Sequence, residues 1–323
     1  MGGIACGIDI GGTKLAIGLV RTDGSLMDRE TVCDHVDKEE CRVIEDMARI
    51  VQNLLQRNSL QERDLLGIGV VYPGHIRSKE GITIRSSNLQ RFRNFPLREE
   101  VQKHFSVPVV TDNDANAMAY AELKFGAGAG YSSMIFVTVS SGIGAGIIIN
   151  NRIYRGITGT AGEFGHMIVN PHGDIRCGCG NYGCLMTYTC GHALGKVFKK
   201  LLVEGKPTKL EIDESTPARE ITGETLKKGL DMNDALTMEV IDQCALYMGI
   251  GLYNIFQIFN PPLIALGGGL MNLGEYLFDQ IKLHFYRLAR DMLFDDVIIT
   301  HSKLREEAGV IGAASLLLEK DEG

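Results

Sequence analysis

Two glycine-punctuated hairpins carry the side chains of this chain best suited to gripping an anion. The first reads Gly7-Ile8-Asp9-Ile10-Gly11-Gly12-Thr13-Lys14-Leu15-Ala16-Ile17-Gly18-Leu19-Val20. The second reads Ile135-Phe136-Val137-Thr138-Val139-Ser140-Ser141-Gly142-Ile143-Gly144-Ala145-Gly146-Ile147-Ile148-Ile149. Each is an apolar β run, a tight turn bearing glycine and hydroxyls, and a second apolar β run. Glycine lets backbone N–H groups crowd against an anion, and Thr13, Lys14 and Ser141 add donors and charge. A pair of such turns suits the phosphates of a nucleotide and predicts a phosphoryl-transfer enzyme. Alone, the first turn would read as an ordinary hairpin, since it matches neither the Walker pattern nor the dinucleotide fingerprint.

Two other clusters carry chemistry. Cys177, Cys179 and Cys184 fall close together, with Gly178, Gly180 and Gly183 between them. In a chain without signs of export, that spacing favours a metal over a disulfide. The remaining cysteines, Cys6, Cys33, Cys41, Cys190 and Cys244, are scattered and read as small buried side chains. Asp112, Asn113 and Asp114 sit between a strand and a helix. A carboxylate there can accept the proton of an attacking hydroxyl, while all three residue types also make good helix N-caps.

The elements that must position these residues follow from periodicity. Apolar residues Val43, Ile44, Met47, Ile50, Val51, Leu54 and Leu55 share one face of a helix over 39–57. A strand over 66–71 ends at Tyr72-Pro73-Gly74, and a short helix over 97–105 precedes a strand over 107–110. Residues 115–125 read as helix, 126–130 as a break, and 152–190 as mostly loop. A charged stretch over 199–236 reads as a surface excursion with helical parts. A long apolar helix over 238–259 stops at Pro261-Pro262. A strand over 263–266 follows, Gly267-Gly268-Gly269 opens the next helix, and a last helix covers 309–319. The order repeats, which predicts an α/β fold with an internal duplication. The expected division is a smaller N-terminal α/β domain over 1–115 and a larger one over 116–308 with a loop at 162–190. The last helix is expected to fold back on the first domain.

Composition excludes several classes. The 323 residues suit two domains of ordinary size, with 45% hydrophobic and 23% charged residues. The formal charge of −7 offers no field for a nucleic acid backbone or an anionic membrane. No apolar run approaches the length of a membrane span. The first strand begins almost at the first residue, with no leader, so the expected location is cytoplasmic.

Four motifs in order, Asp9-Ile-Gly-Gly-Thr-Lys14, Asp112-Asn-Asp-Ala-Asn116, Gly162-Glu-Phe-Gly-His166 and Cys177-Gly-Cys-Gly-Asn-Tyr-Gly-Cys184, resemble those of the ROK family. These are repressors and sugar kinases of the actin-like ATPase (hexokinase) superfamily, and the resemblance runs from residue 4 to about residue 318. It implies a duplicated actin-like ATPase (ribonuclease H-like) fold with two domains around a nucleotide and sugar cleft. It also implies an ATP-dependent kinase of a hexose or related sugar or polyol, of glucose or N-acyl hexosamine type and acting on the 6-hydroxyl, with ATP, Mg²⁺ and a structural Zn²⁺.

The resemblance assigns roles residue by residue. Asp9, Gly11, Gly12, Thr13, Lys14, Ser141, Gly142, Gly144, Gly267, Gly268 and Gly269 would bind ATP, with Asp9 positioning Mg²⁺ through water. Asp114 would be the catalytic base. Gly74, Ser87, Asn88, Asn113, Asp114, Glu163 and His166 would meet the sugar. His166, Cys177, Cys179 and Cys184 would form a closed tetrahedral set for zinc, with His166 using its other ring nitrogen for substrate. A homodimer is the expected assembly. Two departures stand out. Ser140 replaces a glycine, which requires a negative φ there. Met186 stands where the family has a sugar-binding Glu, which points away from glucose toward a ketose, allose, a cyclitol or an N-acyl hexosamine unless a group such as Thr187 substitutes. A sugar-sensing repressor is the rival from another class, disfavoured because the chain shows no helix-turn-helix module and carries net negative charge.

Overall fold

The computed structural model describes residues 3–86, 89–290 and 297–319. The chain begins with three strands, β1 (Ile4–Ile10), β2 (Leu15–Arg21) and β3 (Leu26–Val32), then helix α1 (Glu40–Arg57). Strands β4 (Leu65–Tyr72), β5 (His75–Arg77) and β6 (Ile82–Arg85) lead to α2 (Leu97–Gln102), β7 (Val109–Asn113) and α3 (Asp114–Phe125). A second run holds β8 (Met134–Val139), β9 (Ile143–Ile149), β10 (Arg152–Ile153), α4 (Met186–Thr189), α5 (Gly191–Val203), α6 (Gly223–Asp231) and α7 (Ala235–Phe259). It closes with β11 (Leu263–Gly267), α8 (Glu275–Ala289), β12 (Ile298–His301) and α9 (Ala308–Ser315). Among the described residues no helix is long and apolar enough to cross a membrane.

The strands form two five-stranded sheets of matching plan, β3-β2-β1-β4-β7 and β10-β9-β8-β11-β12. In the first, β1, β2 and β3 pair antiparallel while β1, β4 and β7 run parallel. In the second, β9 and β10 pair antiparallel and β11 and β12 parallel. The internal duplication expected from the repeated hairpins is thus present in the strand order.

Two compact units divide the chain, one of residues 1–136, 146–162 and 302–323, the other of residues 137–145 and 163–301. The first unit therefore does not end at residue 115. It keeps α3 because α3 and α9 meet backbone to backbone: a Cβ added to Gly312 would lie 2.7 Å from the Ala117 carbonyl oxygen.

Alternation along β1 explains the packing of the first unit. Cys6, Ile8 and Ile10, with Leu15, Ile17 and Leu19 of β2, meet the α1 stripe of Val43, Met47, Ile50, Val51 and Leu54. On the opposite face, Ala5 and Ala16 meet Val310, Ile311 and Ala314 of α9. That helix lies unusually close. A Cβ on Gly7 would fall 2.0 Å from the Val310 carbonyl oxygen, and one on Gly69 would fall 1.7 Å from that of Ala313.

In the second unit α7 starts at Asp234, whose carboxylate accepts from the Thr237 amide at 2.8 Å, and ends at Asn260 in the left-handed conformation (φ 42°). Its Gly249 admits α8, since a Cβ there would lie 2.5 Å from the His284 Cβ. The glycine triplet does not open a helix directly. Gly267 ends β11, Gly269–Leu273 form a 3₁₀ turn, and α8 begins only at Glu275, after Gly274 at φ 93°. Three successive glycines are poor helix formers, so the backbone takes tighter and left-handed turns first. The stretch 152–190, expected as loop, carries β10, α4 and a 3₁₀ turn at Phe164–His166.

Gly69→Ala is expected to cost about 2–3 kcal/mol through overpacking against Ala313. Thermal unfolding checks this, and an unchanged melting temperature would show that α9 can shift without cost.

Candidate active site

Register gathers the first unit's functional residues at one edge of its sheet. Asp9 lies beside Val71, and Val71 beside Asp112, so the C-terminal ends of parallel β1, β4 and β7 form a row. Loops at the carboxyl ends of parallel strands are the usual ligand-binding edge of such sheets. The row carries the Gly11–Lys14 turn, the Gly74 loop and the Asn113-Asp114 junction.

In the first turn the Gly11 amide donates to the Lys14 carbonyl at 2.8 Å, and a Cβ on Gly11 would lie 2.7 Å from that oxygen. Gly12 is half-buried, while Thr13 and Lys14 are exposed. Asp9 shares the face of Ala5 and Gly7 and so lies under α9, where a Cβ on Gly309 would sit 2.0 Å from its Oδ2. Burial pushes the Asp9 carboxyl up to about 6, with the Lys14 charge opposing the rise.

The three polar residues after β7 divide their work. Asn113 is the N-cap of α3: its Oδ1 accepts from the amides of Ala115 at 2.9 Å and Asn116 at 3.3 Å. Its Nδ2 donates to the Gly74 carbonyl at 3.1 Å, which brings together two residues expected to meet the sugar. Asp114 is the first residue of α3, and its Oδ1 accepts from the Ala115 amide at 2.9 Å. Asp112 is 2% exposed and pairs at 2.7 Å with Arg155, which also binds Glu319. Its other oxygen accepts from the Asn113 amide at 2.7 Å and from Asn116 Nδ2 at 3.1 Å. Burial raises the Asp112 carboxyl and the Arg155 charge lowers it. The expected sugar contacts Ser87 and Asn88 lie outside the described residues.

The second unit holds its own set. Ser140 donates its amide to the Gly142 carbonyl at 2.8 Å and accepts from the Gly191 amide at 2.9 Å, leaving Ser140 and Ser141 exposed. Ser140 keeps a negative φ, so its side chain in place of hydrogen brings no backbone strain. Gly144 is not part of this turn but the second residue of β9. Gly268, at φ 90°, sits so close to β8 that a Cβ there would be 2.4 Å from the Val139 carbonyl oxygen. A Cβ on Gly269 would lie 3.7 Å from Ser140 Oγ, so the serine turn and the glycine triplet are neighbours.

Glu163 precedes the Phe164–His166 turn, and the His166 amide donates to its carbonyl at 3.0 Å. The Phe164 ring rests where a Cβ on Gly251 would be 2.9 Å from it, which braces the turn against α7. His166 Nε2 lies 3.7 Å from the Glu163 carboxylate, so both face one place. The other ring nitrogen, Nδ1, is 3.5 Å from Cys177 Sγ, and Cys179 Sγ is 3.6 Å from Cys184 Sγ. The ligand atoms of His166, Cys177, Cys179 and Cys184 all lie within 4.8 Å of one another, a set able to hold a metal ion. Gly180 (φ 98°) and Gly183 (φ 75°) supply the left-handed turns that fold the loop around that point. Met186 opens α4, half-buried, with its methyl 3.9 Å from where a Gly142 Cβ would be. The Thr187 hydroxyl donates to the Cys184 carbonyl at 2.7 Å.

Sequence reasoning missed Arg155 and Glu319, which meet Asp112 only through the fold, and His35, which contacts the first turn. None carries a local motif that would have revealed it.

Duplicated sheets with glycine-bearing turns at the strand ends are the architecture of the actin-like ATPase hexokinases. The ROK family's sequence model matches residues 5–320, and the chain belongs to that family. It is 31% identical to a glucokinase of Halalkalibacterium halodurans, over 98% of this chain and 95% of that protein. It is 32% identical to a xylose repressor of Caldicellulosiruptor bescii, over 98% of this chain and 78% of that protein. A ROK family glucokinase from Streptomyces griseus, solved with glucose and AMPPNP, matches with a TM-score of 0.81 at 29% identity, covering 97% of this chain and 99% of that one.

The Asp9 carboxyl gives a signed pH prediction. Because its folded value is raised, the neutral acid favours folding, and this contribution fades as pH rises toward about 6. Asp9→Asn should therefore gain stability over the parent by up to about 1.4 kcal/mol per pH unit between pH 5 and 6, and by a constant amount above pH 7. Paired melting curves across this range measure it; a gap independent of pH would mean that Asp9 is not desolvated.

Proposed function

We propose that this ROK-family chain is an ATP-dependent kinase that transfers the γ-phosphoryl group of ATP to a hydroxyl of a hexose or related sugar, with Asp114 as general base. The observation carrying this reading is the row at the ends of β1, β4 and β7, where a phosphate-type turn, a half-buried acid and the Asn113-Asp114 pair share one sheet edge. The 31% identity to a glucokinase over nearly the whole of both chains supports it.

In this reading the backbone N–H groups of Gly11–Lys14 and of Ser140–Gly142 hold phosphate oxygens, and Gly267–Gly269 leave room for the adenosine. Mg²⁺ bound with ATP neutralises phosphate charge, and Asp9 would hold it through water. Asn113, Gly74, Glu163 and His166 bind sugar hydroxyls. Asp114 accepts the proton of the attacking hydroxyl as its oxygen bonds to phosphorus and the ADP oxygen leaves. Met186 presents a thioether near the serine turn, which cannot accept a strong hydrogen bond. That favours a substrate without a hydroxyl at this point, such as a ketose, a cyclitol or an N-acyl hexosamine, over glucose.

The metal of the second unit is proposed to be zinc. Tetrahedral zinc with thiolates at about 2.3 Å and an imidazole at about 2.0 Å sets sulfurs about 3.8 Å apart and sulfur from nitrogen about 3.5 Å. The separations of 3.6 Å and 3.5 Å fit. With four protein ligands no position is open for water, so the ion would stiffen the loop that aims His166 Nε2 and Glu163.

A sugar-responsive repressor is the second reading, favoured by the 32% identity to a xylose repressor. Sugar-dependent binding of operator DNA without ATP consumption would support it. For the kinase, ADP release measured over a panel of hexoses, ketoses, N-acyl hexosamines and cyclitols should single out a substrate. Asp114→Asn should then lower kcat by about 10²–10⁴-fold while nucleotide still binds; near-normal turnover rules out that role. Cys184→Ser should lose the zinc found by elemental analysis and raise the KM for sugar with nucleotide affinity unchanged, and a metal-free parent with full activity would refute the structural role.

A further inference from the structure

His35 lies between β3 and α1 and has no part in the motifs above. It is 2% exposed, and its Nε2 is 2.8 Å from the carbonyl oxygen of Gly11, the first residue of the phosphate-type turn. A carbonyl oxygen only accepts, so Nε2 carries the proton. Among the described residues the other nitrogen, Nδ1, is buried with no hydrogen-bond partner, so the bond to Gly11 is the one the ring makes there.

The approach is set by the chain on both sides. Val32 at the end of β3 pairs with Leu15, just past the turn, so the segment that follows must run beside Gly11–Lys14. Lys38 then anchors it, pairing with Asp34 at 2.8 Å and with Asp46 of α1 at 2.7 Å.

We propose that His35 is a positioning residue that aims the phosphate turn by fixing the Gly11–Gly12 peptide plane. This rests on the reading of that turn as a nucleotide site. In a trans peptide the C=O and N–H point opposite ways, so holding the Gly11 carbonyl on His35 turns the Gly12 N–H to the other side. A Gly-Gly peptide has little steric resistance to flipping. Without a donor on its carbonyl, that plane could turn over and present an oxygen, repelling an anion where the N–H should bind it. The Gly11 amide bond to the Lys14 carbonyl closes the turn but leaves this plane undetermined.

The test compares His35→Leu, which removes the donor, with His35→Gln, whose amide nitrogen reaches the Nε2 position. Titration with a non-hydrolysable ATP analogue should show roughly tenfold weaker binding for the Leu variant and near-parental binding for the Gln variant. Adenosine, which has no phosphates, should bind all three alike, and the KM for sugar should not move. In the ligand-free chain, the carbonyl carbon shift of Gly11, which reports the hydrogen bond that its oxygen accepts, should move in the Leu variant and return in the Gln variant. His35→Asn, whose amide is too short to reach Gly11, replaces the Leu variant should that one not fold. Parental nucleotide affinity in the donor-free variant overturns the proposal, as does a Gln variant as weak as the Leu one, which would make the ring's packing the cause. A parent chain that binds no nucleotide refutes the kinase reading instead, while the carbonyl shift still reports whether His35 holds the Gly11–Gly12 plane.

Discussion

The closeness of α9 to the first sheet is the constraint on which the site depends. Its carbonyls occupy the space that side chains on Gly7 and Gly69 would fill, so neither helix nor sheet can accept a larger residue there. Asp9 falls on the covered face by the two-residue period of β1, which is why a carboxyl at the edge of a solvent-facing turn is desolvated enough to hold its proton up to about pH 6. From its other side α9 presses on α3 at Gly312 and Ala117. Helix α3 is thereby fixed in depth, and its first residue is Asp114. The far end of α3 is tied as well: buried Glu122 accepts from the Ala127 amide at 2.7 Å and the Leu304 amide at 2.9 Å. No loop residue separates β7 from α3, so the carboxylate inherits the rigidity of both.

Duplication gives two sheets of one plan, but their turns are chemically unequal. The first carries Lys14 and the half-buried Asp9; the second carries Ser140 and Ser141 and no ionisable side chain in the turn itself.

Most of this architecture is legible in the sequence because its signals are local. The α1 stripe, the α7 helix with its terminal prolines and the glycine turns each announce themselves within one window of chain. Strand β3 does not, because it is a half-exposed edge strand with Asp28, Arg29 and Glu30 at its centre, which blurs the alternation. The glycine triplet misleads, since glycines that look like a helix start supply a tight approach to β8 first. In the site, residue type alone could not say which of Asp112, Asn113 and Asp114 caps the helix. The partners that resolve it lie far off in sequence: Arg155 is 43 residues from Asp112, and Gly74 is 39 from Asn113. His35 stands 24 residues from Gly11 and is invisible for the same reason.

Donor and acceptor accounting at Asn113 bears on the proposed chemistry. Its oxygen is engaged by two helix amides, and one of its two N–H groups is given to Gly74. Among the described residues, what remains is a single donor. A sugar hydroxyl meeting Asn113 must therefore act as acceptor toward it, which leaves the hydroxyl's own proton to be donated elsewhere. The adjacent Asp114 is ionisable, and its Oδ1 accepts from the Ala115 amide. In the proposed mechanism the cap thus does more than start a helix: by using up its oxygen, Asn113 orients the bound hydroxyl so that the proton points to a carboxylate, which is the arrangement that general-base catalysis requires before any phosphoryl transfer begins.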